Sequence, residues 1–464
     1  MVKAKSIALK QNKKERRGYM EKHPNVLWLF SDEHRAQAMS CAGDSNIETP
    51  HLDQLAHNGC RYQRAYSTAP LCSPFRACLL TGKYMSEHGV TSLHIPLINQ
   101  TLISETMQKY GYRTSYYGKW HISGGAAPSH FVSKYFYKGF DEFIGWENSN
   151  EFFNTKYFKD TDKNPQQYRT MKKYQSDELT DLALKGLEEN IAQHKPWFQI
   201  VSYEAPHPPA VRNKDDLNEY LNLYAPEEYL NLYKSRKIEL RENVFGSKEE
   251  LETARQRLKG YYAAIKNLDD NIGRIYHFLL EKGELNNTII FYFADHGDLF
   301  GSHGRYGKAR AEEESSNIPL IIHWPDGIRP HEINDKLFAG IDIAPTMFGL
   351  LDLPVPSYVS GMDLSHQLRE KEGSDRESVL IQHDRAFFSS DQTKTRFRSL
   401  VELDYKYIFY QESKREVLFH IKTDPYEICD LSEKEEYKNI KNELKRKLMD
   451  HLYAIQDDFV DCMY

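Results

Sequence analysis

Residues 287–298, NTIIFYFADHGD, decide how the rest of the chain is to be read. From Ile289 to Ala294 the run is apolar without alternation, which predicts a strand buried on both faces. It then stops at two polar groups, Asp295 and His296. NVLWLFSD (25–32) has the same form and ends in Asp32, and PWFQIVSYEAPHPP (196–209) runs from a buried strand into a proline-rich loop holding His207. Between these lie segments with helical signals. TPHLDQLAHNG (49–59) has Thr49 as cap, Pro50 at its first position and Gly59 as stop. LISETMQKYGYRTSYYGKWH (102–121) reads as helix, glycine stop, short strand, then a loop beginning at Gly118. Residues 248–285 form a long helix, and IPLIIHWP (318–325) and GIDIAPTMFGLL (340–351) complete the set. Strands alternating with helices predict an α/β fold with a large, mostly parallel sheet flanked by helices. In such folds ligands bind beyond the carboxyl ends of the strands. Asp32, Asp295, His296 and His207 all fall there, with Cys72, Lys119 and His121 at similar positions.

LCSPFRACLLTGKY (71–84) places Cys72 at the start of a short apolar helix, with Pro74 in its first turn and Gly82 at its end. A helix start favours an anion. Taken alone, Cys72 and Cys78 also read as small core residues. A Cys-x5-Arg phosphatase loop is excluded, because the sixth residue after Cys72 is Cys78.

After about residue 370 the texture changes to short β-rich runs (SVLIQHD, FRSLVELDYKYIFYQ, REVLFHI) and an amphipathic terminal segment. This predicts a smaller C-terminal antiparallel sheet plus a terminal helix. The expected organisation is an N-terminal tail (1–24), a catalytic α/β domain (25–370) and a C-terminal α+β subdomain (371–464). A chain of 464 residues exceeds what one core usually supports, in keeping with that division. Residues 145–175 and 211–247 read as insertions over the sheet edge. A net charge of −6, with no long basic run after the first 17 residues, argues against a nucleic-acid partner. The longest apolar runs are strand-sized, so no membrane span is expected. The first 24 residues are basic but lack an apolar core and a small-residue cleavage site, so they do not read as a secretory signal. Six cysteines without regular spacing make no disulfide framework, and Cys41, Cys60, Cys78, Cys429 and Cys462 read as structural. Cytoplasm is the expected compartment.

The ordered set Cys72-x-Pro74-x-Arg76, Leu80-Thr81-Gly82, Gly118-Lys119-Trp120-His121, Pro206-His207-x-Pro209, Asp295-His296-Gly297 and His303 with Lys308 resembles the sulfatase family of the alkaline-phosphatase superfamily. YYAAIKNLDDNIGRI and DPYEICDL resemble further family segments. The resemblance implies an alkaline-phosphatase-like fold and hydrolysis of a sulfate ester to inorganic sulfate and an alcohol. It implies that Cys72 is oxidised to formylglycine, whose hydrated aldehyde supplies the nucleophile. That requires a formylglycine-generating or anaerobic sulfatase-maturing enzyme as partner. Arg76 would hold the deprotonated diol, Lys119 and Lys308 would clamp the sulfate oxygens, His121 would accept the diol proton and His207 would serve the leaving oxygen. Asp32, Asp295, His296 and residue 72 would bind one divalent cation, for which Ca2+ fits best and Mn2+, Mg2+ or Zn2+ remain open. Glu33 stands where many relatives carry a second aspartate, and either ligates or supports the ligands. His303 and Arg35 either face the substrate or support the residues that do, and His34 would line the pocket with Arg35. Phe75 replaces the usual serine.

The expected substrate is a small sulfated molecule, sugars included. The competing readings are a phosphonate monoester or phosphodiester hydrolase using the same site, and a silent scaffold that binds sulfated ligands.

Overall fold

The computed structural model describes residues 23–126, 130–211, 216–333, 335–384 and 396–464. The expected tail, 1–24, lies outside them but for its last two residues.

The main sheet has ten strands. Its centre is built from β1 (Asn25–Ser31), β2 (Arg113–Lys119), β3 (Glu142–Trp146), β4 (Trp197–Ser202), β5 (Thr288–Ala294) and β6 (Leu320–His323), in the order β6-β5-β1-β4-β2-β3. From β5 to β3 every pairing is parallel. Beyond that centre the sheet is mixed. β6 runs antiparallel to β5 and to Cys60–Tyr62, and strands Lys156–Lys159 and Arg169–Thr170 extend the far edge antiparallel. The parallel pairing expected of most of the sheet runs through its centre, where crossovers carry helices onto both faces.

All seven residues of β1 are buried, and their period-2 alternation splits them between two cores. Val26, Trp28 and Phe30 pack with Phe198, Phe291 and Phe293, whereas Leu27 and Leu29 pack with Leu268 and Ile272. Those last two belong to the long helix Lys248–Glu281, which opens with a capping box: Ser247 accepts from the Glu250 N–H and Glu250 from the Ser247 N–H.

β2 continues through Lys119 instead of ending before Gly118. Gly118 holds a positive φ of 113°, and a Cβ there would sit 2.0 Å from the Ser202 carbonyl oxygen, so the close β2–β4 approach needs glycine. The small sheet comprises β7 (Val379–His383), β8 (Phe397–Val401), β9 (Lys406–Tyr410) and β10 (Glu416–Phe419), antiparallel and in chain order. Leu444, Leu448 and Leu452 of the terminal helix Lys438–Ala454 share a core with it. No described helix is long and apolar enough to cross a membrane.

Candidate active site

β1 and β5 lie side by side with Ser31 opposite Ala294, so the next residue of each, Asp32 and Asp295, emerge together at the carboxyl edge. The Glu33 N–H donates to Asp295 Oδ1 at 3.0 Å, which locks the two strand ends. The helix Cys72–Thr81 points its first residue at this pair. Its end is set by Gly82, at φ 68°, whose N–H closes on the Cys78 carbonyl. Cys72 Sγ lies 3.6 Å from Asp32 Oδ1 and 3.2 Å from His296 Nε2. Phe75 turns away into the core, fully buried against Gly340, where a Cβ would come within 2.4 Å of its ring. The replacement of the usual serine is thus taken up by packing.

Three buried cations face the carboxylates. Arg76 donates from Nη1 to the Lys119 carbonyl and Ser202 Oγ, both at 2.7 Å, and from Nη2 to Asp32 at 3.0 Å and Asp295 at 3.4 Å. It braces the carboxylate pair, and only Nε is without a partner among the described residues. Lys119 Nζ sits 2.8 Å from Asp32 and 3.2 Å from Glu204. Lys308 Nζ sits 2.5 Å from Glu33. Burial alone would lower the pKa of each lysine. The facing Asp32 and Glu204 instead raise Lys119, and the Cys72 thiol with Glu33 and Asp32 raises Lys308. Burial would raise Asp32, but Lys119, His207 and Arg76 hold it well below the usual carboxylate range.

The two histidines differ. His121 is buried with both ring nitrogens unpartnered among the described residues, on a backbone at φ 60°, a region costly outside glycine. Burial, then Lys119 and Arg76, push its pKa well below the ordinary value, so it is neutral and free to accept a proton. His207 Nδ1 lies 2.7 Å from the Pro208 carbonyl and can only donate to it. Its Nε2, 3.1 Å from Glu33 Oε2, is then part of a contact that needs one shared proton.

The structure thus brings together Asp32, Glu33, Cys72, Arg76, Lys119, His121, His207, Asp295, His296 and Lys308. Three further residues make contacts away from Cys72. Arg35 donates to the carbonyls of Asp298 and Leu299 and stacks over Phe300, so it braces the loop after β5. His34 is held between Tyr292 Oη at 2.6 Å and the Ala38 carbonyl at 2.9 Å, and burial pushes it down to about 4. His303 contacts Asn243 at 3.1 Å and Glu314 at 3.7 Å, on the side facing the small sheet.

Two buried acids escaped the sequence reading. Glu147, directly after β3, accepts from Ser123 Oγ and the N–H groups of Ser123 and Gly124, which fixes the loop following His121. Glu204, two residues after β4, pairs with Lys119 and accepts from Trp146, Ser149, Asn150 and Gln175 at 2.9–3.1 Å. The signal was present: Glu204 ends the run WFQIVSY (197–203) as Asp32 and Asp295 end theirs. Glu204→Gln removes one of the two anions on Lys119 and turns an amide donor onto existing donors. It is expected to lower kcat/KM about 10–100-fold and to destabilise by about 1–3 kcal/mol. Steady-state kinetics and thermal melts would check this, with Glu204→Asp recovering part of both.

Two carboxylates, an imidazole and the side chain of residue 72 converge as a group that could hold a divalent cation. Ligand atoms of Asp32, Cys72, Asp295 and His296 all lie within 4.8 Å of one another, and all four residues are buried. Asp32 divides its oxygens: Oδ2 is spent on Arg76 and Lys119, whereas Oδ1 faces the thiol and the imidazole. Glu33 is turned to Lys308 and His207, and with Asp32 and His207 it forms a second group of ligand atoms within 4.8 Å of one another.

The family model described as Sulfatase matches residues 24–353, and one described as the C-terminal part of N-sulphoglucosamine sulphohydrolase matches 301–453. An ulvan-active sulfatase of Formosa agariphila is 29% identical over 443 residues, spanning 94% of this chain and 82% of that protein. Among solved structures, one in complex with its substrate D-glucosamine-2-N,6-O-disulfate aligns with TM-score 0.79 at 24% identity, over 95% of this chain and 99% of that one. A phosphonate monoester hydrolase from Silicibacter pomeroyi aligns with TM-score 0.74 at 20% identity, over 94% and 96% of the two chains. One fold therefore serves both ester classes, and the fold by itself does not choose between them.

Proposed function

Because the chain belongs to the sulfatase family and is a sulfuric ester hydrolase, we propose that it removes sulfate from a sugar, with the oxidised form of Cys72 as nucleophile beside one divalent cation. The observation that carries this reading is the convergence of Asp32, Cys72, Asp295 and His296 beneath Arg76, Lys119 and Lys308. The sugar follows from the relatives, whose names refer to ulvan and a glucosamine disulfate.

The unmodified thiol suits none of this. Burial, then Asp32, push Cys72 up to about 11, so near neutral pH it is a protonated thiol and a poor nucleophile. The hydrated aldehyde of formylglycine at this position would supply one hydroxyl for attack on sulfur and a second whose deprotonation expels sulfate and leaves the aldehyde, which water rehydrates. Asp32, Asp295, His296 and residue 72 would hold a divalent cation, Ca2+ in first place, whose charge would favour the deprotonated hydroxyl. Arg76 keeps the two aspartates aligned for it. Lys119 and Lys308 put fixed positive charge where the sulfate oxygens lie, without reorganisation during the reaction. His121, neutral and unpartnered, takes the proton released at residue 72. His207, sharing a proton with Glu33, delivers it to the departing oxygen.

Mass spectrometry of the tryptic peptide 65–76 tests the central claim. An aldehyde at residue 72, trapped by a hydrazide, supports it, and an unmodified thiol in turnover-competent protein overturns it. Rates on a nitrophenyl sulfate and a phenyl phosphonate monoester from the same preparation separate sulfatase from phosphonate hydrolase. Inertness of modified protein towards both supports the silent scaffold.

His207 has its own signature. Its removal should matter most where the leaving oxygen is basic. His207→Ala is therefore expected to slow sugar sulfates about 10²-fold or more, within the usual range for a general acid, and a nitrophenyl sulfate far less. Equal slowing of both would reduce His207 to a substrate-positioning group.

A further inference from the structure

Away from Cys72, three side chains bring ligand atoms together where the small sheet meets the main domain. His303 Nε2, Glu314 Oε2 and Glu427 Oε1 lie within 4.8 Å of one another. His303 and Glu314 belong to the segment between β5 and β6, on either side of Lys308, and Glu427 to the segment between β10 and the terminal helix. His303 and Glu427 line a cavity of about 510 Å3 that β9 and β10 help to wall. The His303 side chain keeps 18% of its surface exposed, so the group has a path of entry.

The three consecutive glutamates of the first segment differ in what they meet. Glu312 lines the cavity, and Glu313 is paired with the fully buried Lys406 at 2.6 Å. Glu314, with 1% of its side chain exposed, accepts at Oε1 from Arg241 and Asn243, both at 2.8 Å. Its Oε2 has no hydrogen-bond partner among the described residues. A buried carboxylate oxygen left so is costly and points to a partner supplied from outside. His303 Nε2, at 3.7 Å, is too far to be that partner by hydrogen bonding. The spacing is instead close to the roughly 3.4 Å that separates neighbouring nitrogen and oxygen ligands around a tetrahedral ion.

The other two ligand atoms are also available. Asn243 Nδ2 lies 3.1 Å from His303 Nε2, but its two hydrogens are spent on Glu314 Oε1 and the Tyr426 carbonyl, at 2.8 and 3.0 Å. Glu427 Oε2 accepts from the Glu313 N–H at 2.8 Å, which fixes the carboxylate. Its Oε1 meets Lys406 Nζ at 2.7 Å and keeps a second lone pair. Outer contacts of this kind are what orient metal ligands. The group formed by His51, Asp269 and Asp270 offers no comparable atom: Asp269 accepts from the N–H groups of His51 and Leu52, and Lys266 pairs with both aspartates.

We propose that His303, Glu314 and Glu427 form a second cation site, for a divalent transition metal such as Zn2+, which fastens the segment carrying Lys308 to the chain beyond the small sheet. One imidazole with two carboxylates suits such an ion better than Ca2+, which prefers oxygen throughout. Three protein ligands leave a position for water on the cavity side. The site is separate from the one at Cys72 and does not depend on it.

The test uses the full chain, stripped by a chelator and dialysed against micromolar Zn2+ alone, with bound metal counted by plasma mass spectrometry. Unsubstituted protein is expected to hold one more Zn2+ per chain than His303→Ala or Glu427→Gln. The partly exposed His303 makes its variant the safer to fold, which circular dichroism checks, and it decides the matter should Glu427→Gln not fold. A melting curve gives a second readout. In an Asp295→Asn background, which weakens the site at Cys72, Zn2+ should still raise the melting temperature, and adding His303→Ala should abolish the rise. Equal metal content in unsubstituted protein and a folded variant overturns the proposal, as does an equal rise with and without His303. Either result would leave His303 as an imidazole paired with Glu314 alone.

Discussion

Cys72→Ala is expected to lower turnover on the order of 10⁴–10⁶-fold, the range found when a nucleophile is deleted from an intact site. The fold should survive. Cys72 lies at the first position of its helix, and the neighbouring Phe75, Ala77 and Leu79 carry the packing into the main core. Loss of one sulfur atom from a buried position is expected to cost about 1 kcal/mol. Circular dichroism and a melting curve close to those of the unsubstituted protein, together with lost activity, would therefore assign Cys72 to chemistry. Cys72→Ser separates the possibilities further. It keeps an oxygen at the right place but offers a single hydroxyl, so it should give at most a brief burst before turnover stalls. Sustained turnover by either variant within tenfold of the unsubstituted enzyme would remove residue 72 from the reaction.

The second large effect concerns the metal. Chelation is expected to abolish activity, with restoration by one divalent ion per chain, Ca2+ first. A readout independent of activity exists, because an ion bound only by the folded state stabilises it by about 2.7 kcal/mol at a hundredfold excess over Kd. Chelation should lower the melting temperature accordingly. Asp295→Asn retains an oxygen for the N–H groups of Glu33 and His296, so the local fold keeps its hydrogen bonds. It removes one of the charges that attract the ion. Outer partners of a metal site cost about 10–100-fold when changed, and a direct ligand is expected to exceed that in both metal affinity and kcat/KM. Full activity in metal-free protein, or an unchanged melting curve on chelation, would dissolve the assignment.

Glu33 shows what sequence proximity leaves open. Its position after Asp32 suggested either a ligand or a support. Its backbone turns at φ 72°, its N–H is spent on Asp295, and its carboxylate swings to Lys308 and His207. Sequence proximity to a ligand does not say which way a side chain leaves a turn with positive φ.

What the sequence determined by itself is what local residues control. Uninterrupted apolar runs that stop at Asp32 and Asp295 specify doubly buried strands and mark their carboxyl ends. Pro74 and Gly82 bound the helix that starts at Cys72. The ordered motifs, from Cys72 to Lys308, identify the chemistry because each depends on residue type at fixed spacing. The tertiary structure alone decided the partners. Glu204 reaches Lys119 only because β2 and β4 are neighbours, and Arg76 spans to Asp295 across 219 residues of chain. The same holds for Arg35, which braces the loop after β5 instead of lining the pocket, and for Glu312 beside a cavity walled by the small sheet. The physical reason is range. Backbone preference and burial are set within a few residues, whereas an ion pair or an orphaned oxygen depends on which distant segments the topology brings within about 3 Å.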